Sequence, residues 1–161
     1  LSSPIIHRAK GAQHWFADYA FSLHYQRSLH NEQNETFDCL LDGVIEFAFL
    51  EYPLETNVGD AAEQLVWTVV NFRAGSVTRR GVHERAASYR LHLFLQALAL
   101  EKLTPYPVKD CIVLFAHLPY EVSFSWDDTT RADAHALLAD ILHTPAHTGH
   151  TLGQGTKRAQ G

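Results

Sequence analysis

The chain has 161 residues, 46% hydrophobic and 19% charged, which is the size and balance of one globular domain and excludes two full ones. Thirteen Lys and Arg against eighteen Asp and Glu leave a formal charge of -5, so no global positive field draws the chain to nucleic acid and any such contact must be local. No apolar run approaches the roughly 18 residues of a membrane span, and the N-terminus lacks the pattern of a signal peptide.

Two cysteines, Cys39 and Cys111, are too few for a disulfide framework or a four-cysteine metal site. Both fall in predicted strands, so buried thiols and a cytoplasmic location are expected. From Tyr19 to Gln26 the sequence alternates, with Tyr19, Phe21, Leu23 and Tyr25 on one face, as a half-buried strand requires. After the polar, Asn-rich turn at 30–35, alternation resumes through Phe37, Cys39, Leu41, Gly43, Ile45, Phe47 and Phe49. The opposite row, Asp38, Leu40, Asp42, Val44, Glu46, Ala48 and Leu50, places Glu46 mid-strand among apolar neighbours. Residues 51–64 carry Pro53 and Gly59 without a period and predict an irregular connection. Residues 65–73 are β-branched and aromatic, which predicts a third strand with Asn71 and Arg73 on one face.

Residues 83–103 hold no Gly or Pro and are dense in Leu and Ala, which predicts a helix buried against the sheet. Pro105 and Pro107 end it, the apolar run 111–116 suits a central strand, and Tyr120, Val122, Phe124 and Trp126 alternate in a fifth. Asp128 or Thr129 can cap a closing helix through about Leu142. The order predicts an α/β fold, a mixed central sheet with flanking helices. One domain is expected over 1–143, with its core at 19–142 and a disordered tail at 144–161.

One constellation carries chemistry. The second strand reads Gly43-Val44-Ile45-Glu46, the third ends Asn71-Phe72-Arg73-Ala74-Gly75, and the helix runs from Tyr89-Arg90-Leu91-His92 through Gln96-Ala97-Leu98-Ala99-Leu100. In order and spacing this resembles the nuclease domain of RecB and AddA, within the PD-(D/E)XK superfamily, over roughly residues 20–142. The resemblance implies a restriction-endonuclease-like core. Its Gly-x-Ile-Asp strand supplies one metal-binding acid, and a Val-Asp-Tyr-Lys-Thr-Gly strand supplies a second acid and a lysine. A helix then offers Gln and Tyr four residues apart. Carried over position by position, Glu46 falls on the first acid, Asn71 on the second, Arg73 on the lysine, His92 on the glutamine and Gln96 on the tyrosine. Only Glu46 keeps its chemical type.

The substitutions bear on chemistry. Paired carboxylates hold Mg²⁺ or Mn²⁺ because charged oxygens offset dehydration of the ion, which then activates water. Asn71 offers an oxygen without charge, and Arg73 stays protonated where a lysine could give up its proton. If each loss costs about 3 kcal/mol of transition-state stabilisation, each slows hydrolysis on the order of a hundredfold. The resemblance therefore implies a domain with a decayed site, kept for holding DNA or for docking with a helicase or another subunit of a DNA-processing assembly.

Two other readings stay open. One is a working Mg²⁺- or Mn²⁺-dependent exonuclease using Glu46, the Asn71 oxygen and Asp42 or Asp60. The other is a protein-interaction scaffold without DNA contact. Apart from the resemblance, Glu46 reads as a sheet-surface acid, Asn71 as a turn former, Arg73 as a solvated cation and His92 as a core histidine.

Arg73, Arg79, Arg80, Arg85 and Arg90 face Glu84 as the only acid between them, a local charge of +4 that suits phosphate contact. His143, His147 and His150 fall in a polar tail where Pro145 and Gly149 prevent a helix from aligning them. The chain holds no methionine. Together with the absence of the helices that precede this core in its apparent relatives, this leads us to expect the C-terminal part of a larger DNA-processing protein.

Overall fold

In a computed structural model, residues 3–28, 36–53, 64–118 and 120–143 are described. The elements follow as α1 (Pro4–Lys10), β1 (His14–Ser28), β2 (Thr36–Glu51), β3 (Val66–Arg73), α2 (Val82–Ala87), α3 (Arg90–Leu103), β4 (Val108–Phe115), β5 (Tyr120–Ser125) and α4 (Asp128–His143). The five strands form one sheet in the order β1-β2-β3-β4-β5. Only β3 and β4 run parallel. A parallel pair needs a long crossover, and the chain between these two strands holds α2 and α3. The fold is therefore α/β with a mixed sheet and helices on it, as the pattern of elements predicts.

Both faces of the central strands are covered. Trp67 and Val69 of β3, with Val113 and Phe115 of β4, pack beneath Leu93, Ala97 and Leu100 of α3 and, further out, Leu138 of α4. Val70, Ile112 and Leu114 point the other way and meet Ile5 and Ala9 of α1. This two-sided burial is why 111–116 reads as an unbroken apolar run. Cys111 is buried and Cys39 half-buried, both as free thiols.

Four features depart from expectation. First, α1 and the start of β1 at His14 arise in a segment that shows no clear period. Polar ties hold α1 down: Arg8 pairs with Glu51, lies 3.6 Å from Asp110 and donates to Thr68 Oγ1 at 3.2 Å. Glu121 accepts from the Ser3 hydroxyl and from the Ile5 N–H at 2.9 Å.

Second, the helix expected over 83–103 is broken between α2 and α3. Ser88 Oγ donates to the Arg85 carbonyl at 2.7 Å, and the Tyr89 N–H turns to Ala86 O at 3.0 Å. Side-chain competition for a backbone acceptor tightens the turn into two axes. Third, Asp127 rather than Asp128 or Thr129 caps α4, by accepting the Thr130 N–H at 2.9 Å while Thr130 Oγ1 accepts the Asp127 N–H at 2.8 Å.

Fourth, the uniform alternation of β2 inverts at Glu46. Ile45 packs on the α3 side, but so do Ala48 and Leu50, whereas Phe47 and Phe49 face α1. In β1 the same inversion separates Phe16 from Phe21, both on the α3 side. Between them Asp18 has φ 51°, and the β1–β2 ladder skips the position where Asp18 and Glu46 would pair. Irregularities of this kind re-aim a side chain. Three residues before Glu46 on β2, the ring of Phe21 lies over Gly43, where a Cβ would sit 2.6 Å from Phe21 Cζ.

The turn expected at 30–35, most of the connection 51–64 and the tail 144–161 lie outside the described residues.

Candidate functional site

The sheet opens between β2 and β3. Their ladder ends at the pair Phe47 and Val70, beyond which β2 stays with β1 while β3 runs on beside β4 to the pair Arg73 and Phe115. Glu46 and Asn71 are the first residues past the last pair, one on each side of the opening. The inversion of β2 brings the Glu46 side chain to the α3 side. Arg73 reaches it from β3, because it shares a face with Trp67 and Val69 by the two-residue period of a strand.

There the Arg73 guanidinium holds both carboxylate oxygens of Glu46, with Nη1 at 3.0 and 2.9 Å from Oε1 and Oε2. The Glu46 and Arg73 side chains are 28% and 20% exposed, so the pair is partly shielded from water and stronger than a surface pair. From α3, His92 Nε2 lies 3.6 Å from Glu46 Oε1, and Gln96 Oε1 accepts the Glu46 backbone N–H at 3.4 Å. Expected as a core histidine, His92 is instead 52% exposed at the rim.

Asn71 sits behind this pair, 0% exposed. Neither end of its amide has a hydrogen-bond partner among the described residues, nor has Gln96 Nε2 or Arg73 Nε. Buried polar groups are almost always paired, and each unpaired one costs about 1–3 kcal/mol. Four such atoms in one layer mark a place where stability has been given up. Of the five positions singled out by spacing, the fold thus joins Glu46, Arg73, His92 and Gln96 by contact. Asn71 lies two residues from Arg73 on the same face of β3.

Tyr89, to which sequence assigned no role, completes the arrangement. It lies at the joint between α2 and α3, and the Arg73 guanidinium stacks 4.2 Å from its ring centroid, with that of Arg85 at 5.5 Å. The joint that breaks the helix is thus what turns Tyr89 toward two cations. A cavity of about 370 Å³ opens beside them, bounded by Arg73, Ser76, Thr78, Arg85, Tyr89 and Phe115 among others.

The arginine cluster is divided in space. Arg79 and Arg80 are exposed in the turn before α2. Arg90 lines a different cavity, with Phe94, Phe124 and Asp133. Of the further acids considered, Asp42 is exposed on β2 next to Ser22 of β1, and Asp60 lies outside the described residues, as do His147 and His150. No helix among the described residues is long and apolar enough to cross a membrane. No family model matches the chain, and no curated protein does either.

Proposed function

We propose that the chain is a RecB- or AddA-type nuclease-fold domain of the PD-(D/E)XK kind whose hydrolytic site has decayed, and that it is kept for holding DNA within a helicase-nuclease assembly. One observation carries this: the Glu46 carboxylate, the single acid left of the pair, is held through both oxygens by the Arg73 guanidinium. A divalent cation does not fit this donor set. Its first ligand is already engaged by a fixed positive charge, and its second, Asn71, is neutral. Among the described residues no group of three or more His, Cys, Asp or Glu side chains gathers elsewhere to replace it. Support for DNA comes from Arg79, Arg80 and Arg85, exposed on the turn and helix beside this site. Inactive nuclease-like domains occur in such machines, as in RecC, which makes retention reasonable by analogy.

Equilibrium binding to linear DNA over a salt series tests the reading. Affinity should fall linearly on a log-log plot, with an Arg79→Ala/Arg80→Ala variant flattening the slope by about one to two phosphate contacts. Absent or salt-insensitive binding would favour a scaffold that docks on protein alone. An aromatic row on the α1 side of the sheet favours that second reading. It comprises Trp15, Phe47 and Phe72, with ring centroids 6.1 and 5.7 Å apart and Trp15 59% exposed.

A further inference from the structure

We infer that the cavity beside Tyr89 is a binding site for a phosphomonoester group, taken either from the end of a DNA strand or as free phosphate. The strand-end form rests on the DNA-holding function proposed above; the chemistry of the cavity does not.

The lining is made of donors. Arg73 lines the cavity with a guanidinium whose Nη1 is engaged by Glu46 and the Phe72 carbonyl. Arg85 is exposed and stacks on Tyr89, and no carboxylate pairs with it among the described residues. Thr78 Oγ1 accepts the Gly81 N–H at 3.2 Å, which leaves its own proton to donate, and Ser76 adds a second hydroxyl. No Asp or Glu is among the described residues that line it. Glu46 pairs with Arg73, and Glu84 lines an adjoining cavity with Gly81 and Arg85.

Two guanidinium groups share one ring, at 4.2 and 5.5 Å. Both line the same cavity, and an anion bound there would offset the positive charge that Glu46 leaves. Such a concentration of positive charge over one aromatic group is the second sign of a ligand.

A monoester suits this site better than an internal diester. It carries a charge of about -1.5 to -2 and three acceptor oxygens, so donors converging from β3, the following loop and α2 can all be used. A diester offers one charge and two such oxygens. Phe115, 1% exposed, lines the cavity at the end of β4. The volume of about 370 Å³ admits a phosphate with its attached sugar, near the lower end of small-ligand pockets.

The test compares oligonucleotides of one sequence carrying a 5′-phosphate, a 3′-phosphate or neither, with inorganic phosphate as a fourth probe. One phosphorylated end should bind at least about tenfold tighter than the unphosphorylated strand, the yield of one added charge-assisted hydrogen bond. Arg85→Ala should bring that ratio to one, whereas the Arg79→Ala/Arg80→Ala variant should weaken all three oligonucleotides and keep the ratio. Equal affinities for the three strands in the wild type would overturn the site while leaving DNA binding intact. If no strand binds, an Arg85-dependent rise in melting temperature with inorganic phosphate upholds a free-phosphate site, and no rise overturns it.

Discussion

Asn71 occupies a position at which an amide is expensive. It is fully buried, and neither its carbonyl nor its NH₂ has a partner among the described residues. A valine, close in size and apolar, would not carry that desolvation penalty. Asn71→Val should therefore raise stability by about 1–3 kcal/mol, read as a higher urea midpoint at unchanged slope. A loss of stability would mean that the amide is paired after all, by water or by a ligand. Glu46 and Arg73 tell the complementary story. Their order and spacing were legible in the sequence, but their bidentate contact was not, because uniform alternation put Glu46 in the same row as Ala48. Asp18 at φ 51° is the local cause, and a single aspartate in an alternating strand gives no warning of it.

At the scale of elements, strands were easier to read than joints. The third and fifth strands and the buried helix follow from β-branched content, alternation and the lack of breakers. The division of that helix does not, since it depends on one hydroxyl, Ser88 Oγ, taking the Arg85 carbonyl. The α1 helix was illegible for a different reason. It is 7 residues long and is held by charged partners far away in sequence, Glu51, Asp110 and Glu121.

The closing helix offers two tests. Asp127→Ala removes the cap acceptor and should lower the melting temperature, measured by thermal unfolding. An unchanged melting point would mean that the end of α4 frays regardless. Glu101 ties α3 to α4 and β4 by accepting from Arg131 and from the Val108 N–H at 3.0 Å. Burial works against its ionisation, but those hydrogen bonds and the Arg131 charge outweigh it and hold the carboxyl below its ordinary 4.5. A group depressed in the folded state stabilises fully above its unfolded pKa and loses that contribution as pH falls through the folded value. Urea midpoints should thus decline below about pH 4.5, and Glu101→Gln should be less stable near neutrality with a shallower acid decline. A parallel decline in both proteins would assign the acid sensitivity elsewhere.

Over the whole molecule, charge and topology act together. A net charge of -5 coexists with a cationic corner because the sheet opens between β2 and β3 and the β3-to-α2 loop carries its arginines there. Composition read alone argues against nucleic acid, and the proposed DNA contact rests on the arginines at that corner. The central claim is that this corner grips DNA and does not cut it. Labelled linear single- and double-stranded DNA incubated with the protein and Mn²⁺ tests this most directly, with Glu46→Ala as the control. The DNA should be retained by the protein in a salt-dependent way and stay full length; cleavage by the wild type that Glu46→Ala abolishes would contradict it.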